Sequence, residues 1–141
     1  MTWGGIVNAV EQALYAKIAA SGDIITKLGS AKIYNHIIPQ GISLPAIRFF
    51  YAGGGEENLT PTRSVNVVYA VIGVSETSKK EAGEIADLID ACLHDQTLTV
   101  TGWTNNFWTA RGGLASYHEL GKGGESYWHC GAYYRVRVSA S

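Results

Sequence analysis

The sequence predicts an α+β domain, a mostly antiparallel β-sheet with helices packed on one face. Three observations predict it. Residues 5–20 and 78–94 repeat apolar side chains at spacings of three and four, the period of an amphipathic helix. Between and after them lie runs rich in Val, Ile, Tyr, Phe and Trp that alternate with period two. The last two such runs are joined by a short glycine-rich connection, which suits a hairpin rather than the long crossover of a parallel sheet. At 141 residues the chain is long enough for one hydrophobic core and too short for two, so residues 1–141 are read as a single domain.

Each element follows from its residues. Ile6, Val10, Ala13, Leu14 and Ile18 make one helical face that ends at Ser21-Gly22. Asp23 is the expected N-cap of a short helix through Leu28, and Gly29 its stop. Residues 32–35 suit a brief strand, and Pro39 and Gly41 make 36–44 a loop. Ala46 to Ala52 reads as a strand that stops at Gly53-Gly54-Gly55, with 53–62 a mobile excursion. In the strand from Arg63 to Val74, both faces are largely apolar, so it is central or meets another subunit. Ser78 and Glu81 have capping-box spacing and open a helix to about His94. Its buried stripe is Ala82, Ile85, Ala86, Ile89, Cys92 and Leu93, with Lys80, Glu84, Asp87 and Asp90 on the solvated side. Residues 98–101, 107–120 and 126–139 read as strands, the last two a hairpin across 121–124. In its second arm Trp128, Cys130, Ala132, Tyr134, Val136 and Val138 face the helices, and Tyr127, His129, Tyr133, Arg135 and Arg137 face away.

Composition narrows the function. A net charge of -1 supplies no basic field for phosphate neutralisation, which argues against specific nucleic-acid binding. Only 16% of residues are charged while 11% are aromatic, too much apolar surface for one small core to hide, so part of it is expected to be an interface. The absence of a long apolar run and of a signal-peptide pattern leads to the expectation of a soluble, cytoplasmic chain with no membrane partner. Cys92 and Cys130 lack C-x-x-C spacing and are expected to share the interior as free thiols.

No residues are singled out as catalytic, cofactor-binding or metal-binding. Neither glycine cluster continues into a phosphate loop. A turn at Gly123-Gly124 sets His118 opposite His129, but Glu119 points to the other face and no third ligand joins them. At the end of its helix, His94 is explained by the helix dipole. Glu56-Glu57 lies in a loop, and no nucleophile elbow is present. The surfaces that stand out suit association. Val65, Val67 and Tyr69, with Tyr127, Tyr133, Arg135 and Arg137, are the candidate subunit interface, because Tyr and Arg are favoured at protein contacts. Gly54, Gly55, Glu56, Glu57 and Asn58 are the candidate docking loop.

Several segments together resemble the tail completion, or tail terminator, proteins of long-tailed bacteriophages and prophages. They are Ala13-Leu14-Tyr15 in the first helix; Lys32-Ile33-Tyr34-Asn35 with Ile38-Pro39-Gln40-Gly41 and Leu44-Pro45-Ala46-Ile47; the helix from Ser78; and the closing strand Tyr133-Tyr134-Arg135-Val136-Arg137-Val138. Trp103 to Trp108 has no place in that pattern. The resemblance implies a non-enzymatic virion-tail subunit, assembled in the bacterial host cytoplasm, without cofactor or metal. It implies partnership with copies of itself in a ring, usually hexameric, with the tail tube protein and with the head connector, genome DNA passing through the ring. The alternatives are a head-completion or neck adaptor, and a small metal-dependent hydrolase built on His118 and His129.

Overall fold

A computed structural model describes residues 3–56, 63–103, 105–106, 108–121 and 123–140. Helix α1 (Trp3–Ala19) buries Ile6, Val10, Leu14 and Ile18 completely, the stripe its spacing predicts. Helix α2 (Gly22–Leu28) is capped by Ser21 rather than Asp23: the Ser21 side chain accepts the Ile24 N–H, because a position two residues further back places the oxygen over the first turn. Gly29, at φ 88°, closes it by donating its N–H to the Ile25 carbonyl at 2.8 Å. Helix α3 (Lys79–Leu93) starts at Ser78, whose Oγ accepts the Glu81 N–H at 3.1 Å. The Glu81 carboxylate accepts the Ser75 hydroxyl at 2.7 Å, tying the helix start to the preceding strand.

The strands are β1 (Ile33–Asn35), β2 (Ala46–Glu56), β3 (Arg63–Ser75), β4 (Gln96–Thr97), β5 (Asn105–Asn106), β6 (Trp108–Leu120) and β7 (Ser126–Ala140). Their order is β1-β2-β3-β7-β6-β4, with β5 also on β7. The β1–β2 pair is parallel and the others are antiparallel. Helices α1 and α3 lie on one face, and the main core fills the space beneath them. Across the sheet, Ala70, Ile72 and Val74 form a second, smaller cluster with Ile38, Leu44, Phe50 and Tyr127, so the loop after β1 covers part of the outer face. None of the described helices is long and apolar enough to cross a membrane.

Four further expectations change. The β2 strand does not stop at Gly53: it bulges between Tyr51 and Gly53, then pairs Gly54 with Val67, Gly55 with Asn66 and Glu56 with Val65. Gly54 sits at φ 100°, and a Cβ there would strike the Asn66 carbonyl oxygen and stand 2.7 Å from the Val67 Cα, so a residue that reads as a breaker is what lets the strands approach. Residues 98–101 are not a strand, although Leu98 and Val100 are core residues. The Asn106 side chain accepts the Val100 N–H at 3.1 Å and donates to the Trp103 carbonyl, doing the work of a ladder partner. Asp90 is drawn into contact with the sheet instead of standing on a solvated face. The hairpin pairs Leu120 with Ser126 and His118 with Trp128, one residue away from the Gly123-Gly124 expectation, because the Gly121 N–H reaches the Glu125 carbonyl and lengthens the turn.

Candidate interaction surfaces

The helix-side face is closed by polar anchors as well as by packing. Tyr69 and Tyr134 stand directly opposite each other on β3 and β7. The Tyr69 hydroxyl donates to Glu11 of α1 at 2.9 Å, and Glu11 also accepts the Asn35 amide at 2.6 Å. The Tyr134 hydroxyl donates to Asp90 of α3 at 2.9 Å, and Arg111 holds the other Asp90 oxygen at 2.8 Å. Burial first, and the adjoining carboxylate second, push both phenols well above the usual tyrosine range. Glu11 and Asp90 were not apparent as such anchors in the sequence; a carboxylate facing a buried Tyr from a helix that otherwise packs on the sheet is the signal that locates them.

That closure decides the fate of three candidate interface residues. Val65, Val67 and Tyr69 are buried in the main core beneath the helices and present no side chain to a partner. Period-two alternation identified their common face but not what covers it, and the helix-side core covers it here. The other candidates lie on the outer face. Tyr133 and Arg135 are exposed, Arg137 is half-buried, and Tyr127 is half-buried against the smaller cluster.

Further along the same face a cavity of about 480 Å³ opens between the loop after β1 and the hairpin. Its polar wall is built by register, which sets Tyr117 beside His129 and Glu119 beside Tyr127. The Tyr117 and His129 rings stack at 4.3 Å and 9°. Arg48 donates to the Tyr117 hydroxyl and lies over the Phe50 ring. His129 Nε2 is 3.1 Å from a Glu119 oxygen, while its Nδ1 is buried without a hydrogen-bond partner. Burial lowers the His129 pKa; Glu119 opposes that shift and Arg48 adds to it.

The one-residue change of register puts His118 on the helix side and His129 on the outer side, which separates the two histidines proposed as a pair. Among the described residues no three His, Cys, Asp or Glu side chains gather to hold a metal ion. His94 ends α3, and its Nδ1 accepts the Arg111 N–H at 3.1 Å. Cys92 and Cys130 are free and half-buried. Cys92 packs against the core, and burial raises its thiol pKa, whereas Cys130 lines a groove between α3 and the hairpin, so the two do not share the interior. Of the docking candidates, Gly54, Gly55 and Glu56 form the end of β2, while Glu57 and Asn58 lie outside the described residues. The unplaced aromatic segment divides: Trp103 is core, and Trp108 is 71% exposed.

Strand β6 is the least covered of the long strands. All its described side chains are exposed except Thr109 and the half-buried Ala115, with Leu114 at 77% and Leu120 at 70%. A strand of this composition exposed on both faces is the mark of an association surface.

Residues 12–116 match the family described as tail completion protein gp17. A chain from the virion of a native gene transfer agent particle has the same fold, with a TM-score of 0.79 at 10% identity, covering 99% of this chain and 100% of that one. A second solved chain superposes with a TM-score of 0.58 at 14% identity, covering 98% of this chain and 96% of its own. No curated protein sequence matches.

Proposed function

The chain belongs to the tail completion protein gp17 family, a phage tail structural protein, and from that premise we propose that it caps the tail tube as a ring of subunits, ends tail elongation and joins tail to head. The supporting observation is the outer face of β7. This strand lies between β3 and β6, and its outer face leaves exposed Tyr133 and Arg135, residue types enriched at protein contacts. Arg137 and Tyr127 extend the same stripe, and the four together are the proposed subunit contact. The end of β2, from Gly54 to Glu56, with Glu57 and Asn58 beyond it, is the proposed contact with tube or connector. The ring is proposed to assemble in the bacterial host cytoplasm and to let genome DNA pass through. The reaction it supports is association alone, and no step in it calls for a cofactor.

Electron microscopy of tails assembled with and without the protein tests the reading. Tails of uniform length closed by a ring are expected with it, and tails of uncontrolled length without it. Uniform tails in its absence refute the terminator role, and binding to portals in preference to tube ends would make it a neck adaptor.

A further inference from the structure

Beyond the bulge at Gly112-Gly113, Leu114 to Leu120 pair in unbroken register with Ala132 to Ser126 of β7. On their other side no strand lies among the described residues, since β4 reaches only Thr109 and Trp108. A regular, open edge is a template for main-chain pairing with another strand. Natural edges are commonly protected by charge, proline or shortness, whereas these seven residues carry one charged side chain, Glu119, and no proline.

The pattern of this edge is its own complement. Reversed about Tyr117, Leu114 falls opposite Leu120, Ala115 opposite Glu119 and Ser116 opposite His118. Every pair is separated by an even number of residues, so each shares one face, as antiparallel partners must. Leu114 and Leu120 are on the helix side with Ala132, and both are bare. Tyr117, at the centre, is held on its inner side by the stack with His129 and the Arg48 hydrogen bond, and is 44% exposed. Centring the reversal on Glu119 would oppose two carboxylates. Centring it on Ser116 or His118 would leave the leucines without each other.

We propose that a second copy of this chain pairs edge to edge with β6 across a two-fold axis at Tyr117, giving an isologous dimer with one continuous sheet. A contact of seven residues a side buries on the order of 1,000 Å² in total, the low end for specific interfaces, which makes the dimer a dissociable one. The proposal does not rest on the ring reading: it concerns the free protein, and it covers an edge that would otherwise invite uncontrolled pairing.

Charge exchange tests it. Leu114→Lys and Leu120→Glu each place a charge against an apolar partner twice per dimer, and sedimentation velocity over a concentration series should show dimerisation weakened at least about tenfold. The double variant Leu114→Lys/Leu120→Glu sets Lys against Glu in this register alone and should return to within about threefold of wild type. Both leucines are exposed, so melting curves of the monomers should be unchanged. Hydrogen exchange at residues 114–120 should slow as the wild-type dimer forms. A wild-type protein that stays monomeric into the millimolar range, single variants that still dimerise, or a double variant that is not rescued overturns the proposal. Tail capping by the wild-type protein reports separately: normal capping by a wild type that forms no dimer refutes edge pairing alone, and a wild-type dimer that leaves tail length uncontrolled refutes the capping role alone.

Discussion

Replacing Tyr69 by Phe keeps the buried ring and removes only the hydroxyl that reaches Glu11. A hydrogen bond to a charged acceptor contributes about 1.5–3 kcal/mol. Glu11 is half-buried and keeps the Asn35 amide, so part of its solvation survives, and the expected loss is about 1–2 kcal/mol, or roughly 3–8 °C in melting temperature. Tyr134→Phe should cost less, about 1 kcal/mol, because Asp90 retains Arg111 at 2.8 Å. Alkaline pH gives a second readout. Both phenols are held neutral in the fold, above the ordinary value near 10, while in the unfolded chain they ionise from about pH 10. Their stabilising effect is therefore fully present below pH 10 and is lost as pH rises beyond it. Urea denaturation at pH 7 and at a series of values from 9 to 11 measures both effects, and the double Phe variant should lose much of the alkaline slope. A Tyr69→Phe protein melting within about 1 °C of wild type, or a double variant with an unaltered alkaline slope, would refute the argument that these hydroxyls lock helices to sheet.

Burial depresses the His129 pKa, so the stability it contributes is present above its ordinary value near 6.5 and is lost as pH falls below it; His129→Gln should flatten that acid slope in thermal melts between pH 7 and 5. Gly54→Ala should destabilise by about 1–3 kcal/mol, from its φ of 100° and the close β3 backbone, as measured by chemical denaturation. Tyr133→Ala and Arg135→Ala should each weaken ring assembly by about 1–2 kcal/mol in sedimentation equilibrium while monomer melting stays unchanged, and unaltered assembly in both would remove this face from the interface.

Helix α3 was legible because local signals agreed: a cap at Ser78, an apolar stripe of period 3.6 and charges opposite it. The β6–β7 hairpin was legible from alternation and glycine. Misreadings arose where a long-range partner decides. Gly53 to Gly55 look like a breaker until β3 lies alongside and needs the missing side chain of Gly54. Val65, Val67 and Tyr69 alternate as an interface strand would, and nothing local says that the helix-side core covers them. The His118–His129 pairing failed by a single residue because the turn closes through the Gly121–Glu125 hydrogen bond, and one residue is enough to move a side chain to the other face.

The division of the sheet keeps the proposed association surfaces apart from the core that holds the fold together. On the helix side, β2, β3 and β7 deliver their apolar residues to α1 and α3, and Tyr69 and Tyr134 anchor one helix each. The helices do not cover Leu114 or Leu120, so the far hairpin contributes little to the main core, and its side chains are free to vary without loosening the fold. On the outer side the small cluster around Ile72 closes only the end beneath the loop after β1, which leaves Tyr133 and Arg135 uncovered at the other end. A substitution on either bare surface should therefore alter assembly while sparing stability, and one at Tyr69 or Ile85 should do the reverse. A subunit that must fold first and meet its partners later needs that separation.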